Sequence, residues 1–227
     1  MVTRRRFVLC CALVLIVTGV VGTTLWARAG ARPDGCAFVE SRADARAAVV
    51  TGSGPDVLVV GDSYSVGAGL RPDQSWPVRL SGRVRVDGFS GSGFSRHASA
   101  CGDQSYATRI RGSLRPGTRL VVVEGGLNDY DQPVAELRSG FDRLVRELHG
   151  RRLLVVGPPP APARPAGTVA AVDATLARLA VATGTPYLSM VEVRLTYQAD
   201  RLHPDAAGQR VFGDAVAAHI RTLLAAG

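Results

Sequence analysis

The chain has 227 residues, enough for one domain with a real hydrophobic core and an added N-terminal segment. Hydrophobic residues make up 46% of it, which excludes wholesale disorder. The formal charge is +8, but Arg4, Arg5, Arg6 and Arg28 precede residue 30; beyond it 23 arginines face 19 acids, scattered and without interleaved aromatics, a pattern that argues against nucleic-acid binding.

Thr3-Arg4-Arg5-Arg6-Phe7-Val8 opens the chain, and an uncharged, mostly apolar stretch runs from Phe7 to Ala27. Positive charge before an apolar run predicts export with the N-terminus left inside. Two fates stay open for residues 1–29. At about 1.5 Å per residue, twenty helical residues reach roughly 30 Å, enough for residues 7–27 to anchor the chain in a membrane. Ala27-Arg28-Ala29 is instead an A-x-A-like cleavage site, and the arginine run resembles a twin-arginine signal. Either fate places the rest of the chain outside the cytoplasm. All 27 basic residues are arginine, which reflects a GC-rich genome more than a mechanism. Cys10 and Cys11 lie inside the apolar run and act there as small hydrophobes. Cys36 and Cys101 lie outside it. An oxidising compartment lets them form a disulfide; the alternative is two unrelated buried thiols. Residues 30–54, rich in Ala, Arg and Gly, read as a linker or short helix that Cys36 can pin to a domain spanning 55–227.

The domain opens on Asp56-Val57-Leu58-Val59-Val60, an apolar run that reads as a strand buried on both faces, and it breaks at Gly61-Asp62-Ser63. Pro72–Arg83 offers Trp76, Val78 and Leu80 for a short helix. Arg83–Asp87 alternates as a second strand and runs into the glycine-rich turn Gly88–Phe94. Ser105–Gly112 is helical. Arg119–Glu124 is a third strand, broken at Gly125-Gly126-Leu127-Asn128-Asp129. Pro133–His149 carries Val134, Leu137, Phe141, Leu144, Val145 and Leu148 on one stripe, the spacing of an amphipathic helix. Leu153–Val156 is a fourth strand ended by three prolines, Val169–Thr183 a helix, Pro186–Leu188 a fifth strand, and Asp205–Ala225 a last helix entered through Pro204. Strands alternating with helices predict an α/β fold whose parallel sheet has right-handed crossovers. The turns after the first three strands then share one sheet edge, where ligands bind in such folds. Ser63, the Gly88–Gly93 turn and Asn128 are expected to converge there.

A serine hydroxyl is a poor nucleophile near neutral pH and needs a base, which in turn needs an orienting partner. Of the four histidines, His149 ends a helix, His219 lies within one, and His97 has no acid in a suggestive pattern beside it. His203 sits in Ala199-Asp200-Arg201-Leu202-His203-Pro204, with Asp200 three residues upstream, close enough for one turn to aim its carboxylate at Nδ1.

On these residues the chain resembles the SGNH (GDSL-type) hydrolase family, as an exported or membrane-anchored, actinobacterial-like member. Gly61-Asp62-Ser63 matches the block that carries the nucleophile. Gly88-Phe89-Ser90-Gly91 supplies the second block's glycine at Gly91, with Gly93 as a competing alignment. Gly126-Leu127-Asn128-Asp129 matches Gly-x-Asn-Asp, and Asp200-Arg201-Leu202-His203-Pro204 matches Asp-x-x-His-Pro. The resemblance spans roughly residues 55–225. It implies a three-layer α/β/α flavodoxin-like sandwich with a five-stranded parallel sheet. It implies a triad of Ser63, His203 and Asp200, and an oxyanion hole made by the N–H groups of Ser63 and Gly91 and the side-chain amide of Asn128. No metal or cofactor is implied.

The expected activity is hydrolysis of small-molecule, glycan or lipid acyl esters, with short-chain and acetyl esters favoured because no long apolar lid is visible. A glycan deacetylase or acyltransferase, or a non-catalytic envelope protein on the same scaffold, are the alternatives. A monomer is favoured. Phe89, Phe94 and Tyr130 are candidates for an acyl pocket, with core packing the competing role for Phe89. Asp62 and Asp129 are expected to brace turns rather than perform chemistry.

Overall fold

The strands form in chain order, the first, third and fourth on apolar runs that stop at or just before a glycine. In the computed structural model, which describes residues 33–225, they are β1 (Asp56–Gly61), β2 (Arg83–Gly88), β3 (Thr118–Glu124), β4 (Leu153–Val156) and β5 (Tyr187–Leu188). The helices are α1 (Pro33–Ala47), α2 (Ser63–Val66), α3 (Tyr106–Ser113), α4 (Val134–Glu147), α5 (Ala166–Thr183) and α6 (Ala206–Ala225). The expected export segment, residues 7–27, lies outside the described residues.

All neighbouring strands pair in parallel, in the order β2-β1-β3-β4-β5. This is the flavodoxin-like order, with its topological switch between β1 and β3. Side chains of β1 alternate between two cores. Val57 and Val59 join Trp76, Val84, Val86, Phe212 and Val216 on the face covered by α6. Leu58 and Val60 join Ile110, Phe141, Leu144 and Leu176 on the face covered by α3, α4 and α5. The expected five-stranded parallel sheet between two helical layers is therefore the observed one.

Several boundaries differ from expectation for local reasons. Pro72–Arg83 is not one helix but two 3-10 turns, Pro72–Gln74 and Trp76–Arg79; each begins with or near a proline, and the wholly buried Trp76 fixes the path. The last helix starts one residue later than expected because Asp205 caps it: Asp205 Oδ1 accepts the N–H groups of Ala207 (2.9 Å) and Gly208 (2.8 Å). Within the stretch read as a linker or short helix, the described residues from Pro33 to Ala47 are helical, as α1. Most of α1 lies in the compact unit that begins at Phe38, and Arg46 within it is 0% exposed, donating to Ser75 Oγ at 2.8 Å and to Val49 O at 2.9 Å. Burial lowers the Arg46 pKa to about 10, which still leaves it charged at neutral pH. Cys36 and Cys101 are each disulfide-bonded.

Candidate active site

Ser63 opens α2 directly beyond the C-terminal end of β1. Asp62 is the N-cap, and its Oδ1 accepts the Tyr64 N–H at 2.8 Å. An acidic N-cap suits the orphan N–H groups of a helix start. Ser63 is 7% exposed, against 1% for Asp62 and Tyr64 and 0% for Ser65 beside it.

The C-terminal loop carries the second group. His203 Nδ1 lies 2.6 Å from Asp200 Oδ2. Asp200 Oδ1 accepts the N–H groups of Leu202 and His203, both at 2.9 Å. Burial alone would raise the Asp200 carboxyl; the hydrogen bonds from the His203 and Leu202 backbone and from the His203 ring outweigh it and hold the pKa at about 2. The turn is tight, and Arg201 adopts φ +58°, a left-handed value uncommon outside glycine. With Nδ1 engaged, Nε2 is the ring's proton-accepting position.

This loop is tied to the serine turn by groups that local sequence patterns do not mark. Tyr64 Oη donates to Leu202 O at 2.7 Å, so the residue after Ser63 holds the residue before His203. The Tyr64 and His203 rings lie 6.4 Å apart between centroids. Gln198 Nε2 donates to Ala68 O at 2.8 Å, and Gln209 Nε2 donates to Tyr64 O at 3.2 Å. Ser63, Asp200 and His203 are thus brought to one region of the sheet edge.

The turns after β2 and β3 complete the surroundings. Asn128 lies in a 3-10 turn, Leu127–Asp129, and its Nδ2 donates to Ser92 O at 2.9 Å and to Asp62 Oδ2 at 3.2 Å. That amide therefore spans the segments following β1 and β2. Gly91 and Gly93 differ physically. Gly91 has φ +84° and open space where a Cβ would stand. A Cβ at Gly93 would lie 2.4 Å from Asp129 Oδ2, so Gly93 is required by packing. Asp129 in turn accepts the N–H groups of Phe94 (3.0 Å) and Ser95 (2.8 Å), fixing the loop that follows. Phe94, 0% exposed, stacks edge-on with Tyr106 in the core; Phe89 is also buried. Tyr130 is half-buried, with the Arg164 guanidinium 4.4 Å from its ring centroid.

Three carboxyls at this edge, Asp62, Glu124 and Asp129, are each 1% exposed. Burial raises all three: Asp62 well above the usual range, with Glu124 nearby adding to the effect, Glu124 to about 7 and Asp129 to about 6. A carboxyl with a higher pKa folded than unfolded stabilises the fold less as pH rises from the unfolded value to the folded one. For Asp129 that window runs from 3.8 to about 6, and for Glu124 from 4.5 to about 7. Asp200, held at about 2, changes charge below this range. The thermal midpoint should accordingly be higher at about pH 5.5 than at about pH 8, by a few degrees. A midpoint that climbs from the lower pH to the higher would contradict it.

The family described as GDSL-like lipase/acylhydrolase matches residues 59–211. A comparison with curated proteins finds no match. Among solved structures, Est24, a carbohydrate acetylesterase from Sinorhizobium meliloti, is 19% identical with a TM-score of 0.65, over 75% of this chain and 100% of that one. The aryl esterase of M. smegmatis is 21% identical with a TM-score of 0.63, over 75% of this chain and 100% of that one. At these identities the likeness is one of fold.

Proposed function

Since the chain belongs to the GDSL-like lipase/acylhydrolase family and is an ester hydrolase, we propose that it cleaves short-chain or acetyl esters through a Ser63–His203–Asp200 triad and an acyl-enzyme. The observation that carries this reading is the 2.6 Å contact between His203 Nδ1 and Asp200 Oδ2, on a loop bound by Tyr64 to the serine turn.

In this mechanism Nε2 of His203 takes the Ser63 proton as Oγ attacks the ester carbonyl. Asp200, ionised at any pH above about 3, holds the imidazole and favours the imidazolium that forms. The tetrahedral oxyanion is received by the N–H groups of Ser63 and Gly91 and by Asn128 Nδ2. His203 then returns the proton to the leaving alcohol, and water, deprotonated by the same nitrogen, releases the acid from Ser63. The open Gly91 turn supports its choice over Gly93, whose surroundings are filled.

The carbohydrate acetylesterase fold neighbour makes acetylated sugars a natural member of the substrate range. The N-terminal arginines and apolar run, with the disulfide-bonded state of Cys36 and Cys101, support action outside the cytoplasm. The test is a series of p-nitrophenyl esters from acetyl to palmitoyl, with acetylated xylan alongside, on the full-length protein. The expected result is highest kcat/KM at acetyl to butyryl and a steep fall beyond. A maximum at palmitoyl would overturn the short-chain assignment.

A further inference from the structure

Glu124 is the last residue of β3, and neither the triad nor the oxyanion hole uses it. Its buried carboxylate reaches across to the turn that follows β1. Ser65 Oγ donates to Glu124 Oε2 at 2.6 Å. The N–H groups of Asp62 and Ser65 favour the charged form of the same carboxylate. The indole N–H of Trp76, a residue with 0% exposure, donates to Ser65 Oγ at 3.2 Å and favours that charge too. The second residue after Ser63 therefore ends on this side chain, and the N–H of the residue before Ser63 favours its charge.

The first glycine of Gly61-Asp62-Ser63 is explained by this side chain. A Cβ at Gly61 would lie 2.1 Å from Ser65 Oγ and 2.7 Å from Glu124 Oε2. The turn has given up its Cβ where the carboxylate and its donor sit. An apolar residue at the end of β3 would fill a buried place without the desolvation cost of a carboxylate. Part of that cost is offset by donors, most of which belong to the turn carrying the proposed nucleophile.

We propose that Glu124 is a positioning residue for the nucleophile, clamping the Asp62–Ser65 turn from β3 and so setting Ser63 Oγ against His203 and the oxyanion donors. The inference rests on Ser63 being the nucleophile. A misplacement of about 1 Å at a reacting atom costs on the order of 10²-fold in rate. Glu124→Gln replaces one carboxylate oxygen by an NH2 group, which cannot accept a hydrogen bond, and removes the charge. Ser65→Ala removes one donor and leaves the others.

The experiment compares full-length wild type, Glu124→Gln, Ser65→Ala, the double variant and Ser63→Ala, on p-nitrophenyl acetate and by the rate of inactivation with a fluorophosphonate. Glu124→Gln should lower kcat by about 10- to 100-fold with KM within about twofold, and slow inactivation in parallel. Ser65→Ala should cost less, and the double variant should fall short of the product of the two single effects, as for groups sharing one contact. A wild-type kcat and inactivation rate in Glu124→Gln would overturn the clamp. Should Glu124→Gln fail to fold, unchanged kcat in both Ser65→Ala and Trp76→Phe would overturn it. Hydrolysis surviving in Ser63→Ala would instead overturn the nucleophile assignment; an inactive Ser63→Ala beside an unaffected Glu124→Gln would sink the clamp alone.

Discussion

Replacing His203 by alanine is expected to lower kcat for ester hydrolysis by about 10⁴–10⁶, the loss seen when a triad stops acting as a unit. An imidazole is the side chain most often used to take a serine's proton, and this ring stands on the loop that Tyr64 ties to the serine turn. Its environment is built to hold it: Asp200 takes the ring at 2.6 Å and the loop backbone at 2.9 Å, and Tyr64 Oη anchors Leu202 O at 2.7 Å. Alanine leaves the last two contacts intact, so the fold should survive while the base is lost. The check is steady-state hydrolysis of p-nitrophenyl acetate with the thermal midpoint measured on the same sample. A His203→Ala variant within about tenfold of wild type would remove His203 from the mechanism.

Asn128→Ala is the second large effect, a fall of about 10²–10³ in kcat with little change in KM. A donor to the oxyanion matters most when charge has developed on the carbonyl oxygen, so its loss is read in kcat. The amide is set by its 2.9 Å bond to Ser92 O, while the 3.2 Å contact with Asp62 Oδ2 is the longer and weaker one. In the proposed mechanism an oxyanion would take the place of that longer contact, leaving the Ser92 bond to hold the amide in line. Pre-steady-state acylation measures this step directly. An unchanged acylation rate in Asn128→Ala would exclude the residue from the oxyanion hole.

What the sequence made legible follows the range of the forces involved. Strands β1, β3 and β4 were readable because a sheet covered on both faces demands continuous apolar runs, and glycine or proline marks where each stops. The Asp200–His203 pair was readable because its two members stand three residues apart and one turn joins them. Helix α2 escaped notice because its four residues make a single turn, too short for apolar periodicity to show. Helix α1 carries a charged, weakly patterned sequence, and its hold on the body comes through arginine: Arg46 to Ser75 Oγ and Arg42 to Leu70 O. The groups that hold the site together were invisible for the same reason. Tyr64 reaches across 138 residues to Leu202, Gln209 across 145 to Tyr64, and Ser65 across 59 to Glu124. No local pattern records a partner that distant; a buried polar residue at a strand end, as Glu124 is, was the available signal.

The central claim is that Ser63 is the nucleophile, and its most direct test is mass spectrometry of the protein after reaction with a fluorophosphonate. The account predicts a single adduct on the peptide containing Ser63, formed in wild type, absent in Ser63→Ala and strongly slowed in His203→Ala. An adduct mapped to any other residue, or one formed equally in Ser63→Ala, would contradict it.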